Sequence, residues 1–349
     1  MKFEYFKNID LNDPFFDSLK ADYIEFSKWF EMKSTGDAQA YTSYDTAGRI
    51  QGFLYLKKEN AALTDITPAL PEKTRLKVGT FKITPHGTKM GERFIKKIFD
   101  YAVVTGIREI YVTIFPKHAH LISLLSKYGF RKVAEKSTAN GTEDVLLKDM
   151  TAVTNSIYLN YPLISVSRAR KFLLAIKPEY HTELFPDSKL FGEKYELIQD
   201  ISHTNSIHKV YLCAIESVKI LNPGDLLVIY RTSDQQGAAY YRSVASSICT
   251  VEEVLTRNNF NDIEEYLKYC QAHSIFSKEI LEGMYKSYKP LYIIKMTYNA
   301  ALTKRLNRAT LINEIGLDAG QYWGFFELTH PQFNNILQKG EVNENIIID

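Results

Sequence analysis

The chain runs to 349 residues, more than the ~100 to 200 that one hydrophobic core usually serves, so two domains are expected and a small disulfide-held scaffold is excluded. Hydrophobic residues make up 45% and charged residues 24%, with 43 Lys+Arg against 41 Asp+Glu, which excludes a disordered chain. Up to residue 150 there are 23 basic and 19 acidic residues, and afterwards 20 and 22, so neither half is the uniformly basic body of an electrostatically driven nucleic-acid binder.

No apolar run approaches the ~18 residues that span a bilayer, and Met1 to Asp10 is polar, so a cytoplasmic protein without membrane contact is expected. Cys213, Cys249 and Cys270 are far apart and odd in number, which predicts free thiols and no metal site.

In chain order, Asp13-Pro14 is a helix start, because Asp accepts an orphan amide and Pro at the first position loses no needed donor. Phe15, Phe16, Leu19, Tyr23, Phe26 and Phe30 then repeat at helical spacing. Ala38 to Tyr44 and Arg49 to Lys57 read as a hairpin. After a loop with Pro68 and Pro71, Leu76 to Ile83 reads as a strand, broken by Thr84 to Gly91. Phe94, Ile98 and Tyr101 form a helical stripe closed by Gly106, Glu109 to Phe115 is a strand, and Leu121, Leu124 and Leu125 begin a helix that stops at Tyr128-Gly129. Phe130 to Glu135 and Asp144 to Leu147 look like two strands about Asn140-Gly141. The order implies an α/β (α+β) domain at 1–150, a mixed sheet flanked by helices.

The chemical signal is His86-Gly87-Thr88-Lys89-Met90-Gly91-Glu92, between a strand and a helix. Unpaired amides at a helix start, backed by the helix dipole, suit phosphate oxygens, and Lys82 and Lys89 add positive charge. A plain tight turn is the competing reading.

This stretch resembles the acetyl-CoA pyrophosphate loop of the GNAT acetyltransferases, with His86 at the Arg/Gln place, Lys89 at the first Gly and Gly91 last. Lys127-Tyr128-Gly129-Phe130 resembles the family's Lys, any residue, Gly, Phe signature, at the right spacing from the loop. The resemblance implies acetyl-CoA as co-substrate, held by Ile83, His86, Gly87, Thr88, Lys89, Met90, Gly91 and Glu92, and direct attack of an amine on the thioester. The family's acid Tyr falls at Leu125, so His118, which stands at the family's Asn position, His120 or Tyr128 is left to supply the proton, and Glu59 or Asp65 to act as base.

Thr151 to Pro162 carries little periodicity, placing a linker at 151–163 and a second domain at 164–349. There Ser167 to Ile176 reads as a helix. Strands follow at Lys209 to Ser217, Leu226 to Thr232, Tyr240 to Val251 and Leu291 to Tyr298, and helices at Ile263 to Ala272, Lys278 to Lys286, Ala300 to Leu306 and Thr310 to Ile315. Trp323 to Leu328 is a last strand and the tail after Gly340 is expected to be loose. Ile176-Lys177-Pro178-Glu179-Tyr180, the Asn222-Pro223-Gly224-Asp225 turn and Val228 to Thr232 are similar to PUA-like domains of the ASCH type, which implies a small β barrel with helices, binding RNA or a modified nucleobase. Lys177, Tyr180, Arg231 and Arg242, with Lys304, Arg305 and Arg308, offer phosphate-pairing charge beside stacking surface. The combined expectation is an N-acetyltransferase acting on a nucleic-acid acceptor. Its rivals are a non-catalytic RNA-binding or regulatory protein and a toxin-like acetyltransferase of aminoacyl-tRNA.

Overall fold

A computed structural model describes residues 1–84, 89–186, 206–234 and 238–348. The chain divides into two compact units, Met1–Val153 and Thr154–Asp349.

The first unit is a seven-stranded sheet: β1 (Lys2–Tyr5), β2 (Gln39–Tyr44), β3 (Ile50–Leu63), β4 (Leu70–Ile83), β5 (Glu109–Ile114), β6 (Arg131–Thr138) and β7 (Gly141–Asp149), in the order β1-β2-β3-β4-β5-β7-β6. All pairs are antiparallel except β4 and β5, which are made parallel by the crossover helix α3 (Met90–Thr105). The sequence pattern misses β1, which is short and exposed and owes its form to pairing with β2. The single helix expected from Phe15 to Phe30 is broken. Asp13 accepts the Phe15 N–H to start a short turn, then come α1 (Asp17–Asp22) and α2 (Phe26–Ser34), parted at Tyr23 to Glu25. The break releases Tyr23 to reach Glu143, whose Oε1 accepts its hydroxyl at 2.6 Å.

One face of the sheet packs on α2 through Phe6, Phe16, Phe26, Phe30 and Phe53. The opposite face packs on α3, where Phe94 meets Phe81 at 5.7 Å between ring centroids. Phe53 and Phe81 serve different faces because side chains alternate along a strand. After β5, α4 (Ala119–Lys127) leads into the last hairpin.

In the second unit a short helix α5 (Ile157–Asn160) precedes β8 (Lys171–Ile176), α6 (Pro178–Leu184), β9 (His208–Cys213) and β10 (Leu226–Arg231). Then follow α7 (Ala239–Arg242), β11 (Val244–Thr256), α8 (Ile263–Gln271), α9 (Lys278–Lys286), β12 (Tyr292–Asn307), α10 (Arg308–Asn313), β13 (Phe325–Leu328) and α11 (His330–Lys339). The six strands run β13-β8-β10-β11-β12-β9, with β8 and β10 parallel. Among the described residues no pairing joins β13 to β9, so the sheet is open where a small barrel was expected.

Three further expectations are corrected. Ser167 to Ile176 is no helix: all six residues of β8 are buried and hydrogen-bonded between β10 and β13, and a run buried on both faces has no polar alternation to mark it as a strand. Ala300 to Leu306 continues β12, paired with β11 across three register shifts that hide the two-residue period. The tail is tied down, since Ile164 donates to Ile346 O at 2.8 Å and accepts from Ile348 N at 3.0 Å.

Candidate functional site

The opening in the first unit is built by strand pairing that stops early. β4 and β5 pair only from Arg75↔Glu109 to Val78↔Val112, yet β4 runs on to Ile83 and β5 to Ile114, so the two parallel strands part at their carboxyl ends. The closed end is pinned by Arg75, whose buried Nε donates to Glu109 Oε2 at 2.7 Å. At the point of parting, the register of β4 against β3 jumps from Val78↔Leu56 to Thr80↔Tyr55, leaving Gly79 as a bulge. A Cβ on Gly79 would sit 2.8 Å from Tyr55 Cδ1, so this wall needs glycine.

Beyond β4 the chain enters α3, whose N-cap residue Lys89 makes no side-chain cap. The first amides of a 16-residue helix thus lie at the carboxyl end of β4, a disposition that suits an anion. His86, Gly87 and Thr88 lie outside the described residues. Ile83 ends β4, and Met90 is buried in the first turn. Gly91 also has a packing task. A Cβ there would meet Leu124 Cδ2 at 2.6 Å and Ile83 Cδ1 at 3.3 Å, so it brings α3 close to α4. Buried Glu92 turns Oε1 to Lys127 Nζ at 3.4 Å, while its Oε2 finds no partner among the described residues.

On the α2 face α1 bridges the opening. Lys82, near the end of β4, donates to Phe15 O and Ser18 Oγ, so its ammonium serves the start of α1. Burial holds the Lys82 ammonium below the usual lysine range, against the opposing pull of Asp17, Asp22 and Asp13. At the other end Asp22 takes Lys117 on Oδ1 and His118 Nε2 on Oδ2 at 2.9 Å. The α1–α2 turn is then fastened to the β6–β7 hairpin. Besides Tyr23 to Glu143, Ile24 N donates to Asn140 Oδ1 at 3.3 Å and Asn140 Nδ2 donates to Glu25 Oε2 at 2.8 Å. The Tyr23 ring lies 5.2 Å from Phe115.

The predicted residues of this unit are therefore dispersed. His118 is the N-cap of α4, half-exposed beyond the end of β5, and His120 is exposed on the helix. Tyr128 is fully buried, its ring 6.4 Å from that of Phe99, and Leu125 is buried too. Glu59 is not a loop residue: it lies within β3, opposite Arg75 at the closed end, where Lys57 Nζ at 2.9 Å and the Tyr111 hydroxyl donate to it. Burial raises its pKa, but Tyr111, Lys57 and Lys77 outweigh this and hold the carboxyl below its usual range. Asp65 pairs with Lys136 at 2.6 Å. Asp22 escaped the sequence reading, because nothing in the spacing of residues 22 and 118 announces that they meet.

In the second unit Lys177 is exposed at the N-cap of α6 and Tyr180 packs on Phe276 at 5.1 Å. Arg231 is buried at the end of β10, so it is not the surface cation expected, whereas Arg242 is exposed and its Nε donates to Asp234 at 2.6 Å. Lys304 and Arg305 stand on β12 and Arg308 opens α10, its guanidinium 4.4 Å from the centroid of the Trp323 ring. Two buried polar groups carry no sequence signal. His181 Nε2 meets Ser246 Oγ at 2.7 Å, and burial, aided by Arg231 and Arg305, pushes its pKa down to about 3. Glu252, extra in the β11–β12 register, takes His208 and Thr297 on Oε1 and Tyr158 on Oε2, the last two at 2.8 and 2.7 Å. The three cysteines are free thiols, burial pushing Cys213 up to about 11. Among the described residues no group of three or more His, Cys, Asp or Glu is arranged to hold a metal, and no helix is long and apolar enough to cross a membrane.

No family model matches the sequence, and a search of curated proteins returned no match. Solved structures similar to this chain include both kinds that the sequence resembles, ASCH domains and GNAT acetyltransferases. ASCH from Zymomonas mobilis is 9% identical with a TM-score of 0.34, over 48% of this chain and 94% of that one. Arabidopsis thaliana NAA60 in complex with a bisubstrate analogue is 18% identical with a TM-score of 0.30, over 42% of this chain and 94% of that one. The NatC complex bound to Gag peptide and CoA gives 14% and 0.29, over 43% and 98%. At such identities no residue role passes from those proteins to this chain.

Proposed function

We propose that the first unit is an acetyl-CoA-dependent N-acetyltransferase. The observation that carries the reading is the opening itself: parallel strands that stop pairing at Val78 and Val112, with a bulged wall at Gly79 and, at its edge, a helix start whose N-cap Lys89 makes no side-chain cap. The amides of Met90, Gly91 and Glu92, the positive end of α3 and Lys89 are the residues that would hold the diphosphate. Bound there, acetyl-CoA supplies an acetyl group activated as a thioester. The chain's own tasks are to orient an amine against it, to exclude water and to move one proton. His118 is the group with the chemistry for the last, since imidazole can both take and return a proton.

The second unit, in this reading, binds the acceptor, an RNA or a modified nucleobase. Support comes from Lys177, a cation exposed at the N-cap of α6.

Calorimetric titration with acetyl-CoA is the first test. Saturable binding is expected, weakened about tenfold or more by Lys89→Glu, which reverses the charge beside the amides. Gly91 is unsuitable for this purpose because its substitution strikes Leu124. Incubation with labelled acetyl-CoA and total RNA, or RNA-free extract, then shows where label goes. Absence of saturable binding removes the cofactor. Binding without transfer selects a regulatory protein that keeps the fold, a reading favoured by Leu125 at the place of the family's acid Tyr.

A further inference from the structure

His118 and Asp22 are 96 residues apart and meet because α1 crosses the opening. The Asp22 side chain is only 10% exposed, so this is not a pair of solvated surface charges. Its position is fixed on both sides. Lys82 holds the start of α1, and the turn after Asp22 is held by Tyr23 on Glu143 and by Asn140 on Ile24 and Glu25. Lys117 occupies one carboxylate oxygen and leaves the other for the imidazole.

A carboxylate can only accept, so the neutral imidazole must carry its proton on Nε2, and Nδ1 is left with the lone pair. We propose that Asp22 is a positioning residue that fixes His118 in the Nε2–H tautomer and so makes Nδ1 the proton-transfer atom of the acetyltransferase reaction. The inference rests on the acetyltransferase reading. In the step, the amine nitrogen bonds to the thioester carbonyl carbon and the carbon–sulfur bond breaks. The proton lost by the amine passes to Nδ1 and from there to the departing sulfur, so an amide and a free thiol result and His118 is restored. Between the two transfers His118 is an imidazolium, and the Asp22 carboxylate stabilises that charge.

The test pairs a spectroscopic readout with kinetics on the full chain. Long-range 1H–15N correlation of histidine-labelled protein reports the tautomer directly. His118 is expected as Nε2–H, passing to a mixture in Asp22→Ala. With spermidine as the probe amine, Asp22→Asn, which keeps shape and loses charge, is expected to lower kcat on the order of 10²-fold while the acetyl-CoA Kd holds. His118→Gln is expected to do the same. An Nδ1–H tautomer in the wild type, an unchanged kcat in Asp22→Asn, or a loss confined to KM overturns the assignment. If the wild type transfers acetyl and Asp22→Asn does so equally fast, only the role of Asp22 falls. If the wild type binds acetyl-CoA and acetylates neither spermidine nor extract, the acetyltransferase reading falls and the role goes with it, even where the Nε2–H tautomer is seen.

Discussion

Two glycines at the opening do different work, and the difference is measurable. Gly79 is a bulge whose absent side chain leaves room for the Tyr55 ring. Gly79→Val is expected to cost about 1 to 3 kcal/mol in urea unfolding, the usual penalty of overpacking, and to weaken acetyl-CoA binding because the wall moves. Gly91 faces the flexible end of Leu124 on α4. Gly91→Ala is therefore expected to cost ~1 kcal/mol and to regain most of it when combined with Leu124→Ala, a non-additivity that a double-mutant cycle reads directly. If Gly91→Ala were neutral alone, the packing role would be wrong.

At the scale of elements, the parting of β4 and β5 needs a fulcrum, and the Arg75–Glu109 pair at the first cross-strand position supplies it. The Arg75 side chain is 3% exposed and also donates to Pro71 O at 2.9 Å, so removing its carboxylate strands a buried charge. Glu109→Ala is expected to cost about 3 to 5 kcal/mol in urea denaturation. Lys73, which reaches the same carboxylate from a half-exposed position, should cost only ~0 to 1 kcal/mol when replaced by Ala. Equal effects of the two substitutions would dismiss the fulcrum.

For the whole molecule, the second unit should be acid-sensitive, because it buries ionisable groups whose folded pKa values lie below their ordinary ones. For His181 the fall is from 6.5 to about 3, by burial and then by Arg231 and Arg305. The unfolded chain binds the proton first, so stability is complete above pH 6.5 and declines as pH falls toward 3. For Glu252 burial raises the pKa, but His208, Lys295 and Tyr158 reverse the sign and bring it from 4.5 down to about 2. Its contribution is whole above pH 4.5 and is lost as pH falls through 2. The urea midpoint of this unit is expected to drop in two overlapping stages, with His181→Gln flattening the first and leaving the second.

The sequence by itself determined what local pattern and turn chemistry dictate: the Asp13-Pro14 helix start, the β2–β3 hairpin, the helices about Phe94 and Leu121, and the strand-to-helix passage that drew attention to residues 83–92. These are legible because the period and the capping residues are contiguous. Long β12 and fully buried β8 were not, since register shifts and two-sided burial erase the alternation by which a strand is recognised. The tertiary structure alone decided that β4 and β5 part after four pairs, that α1 bridges the gap, and that Asp22 meets His118 while Glu59 is spent on Lys57 and Tyr111. The physical reason is that a hydrogen bond between residues far apart in sequence depends on packing of the elements between them, and that packing leaves no periodic trace in the chain.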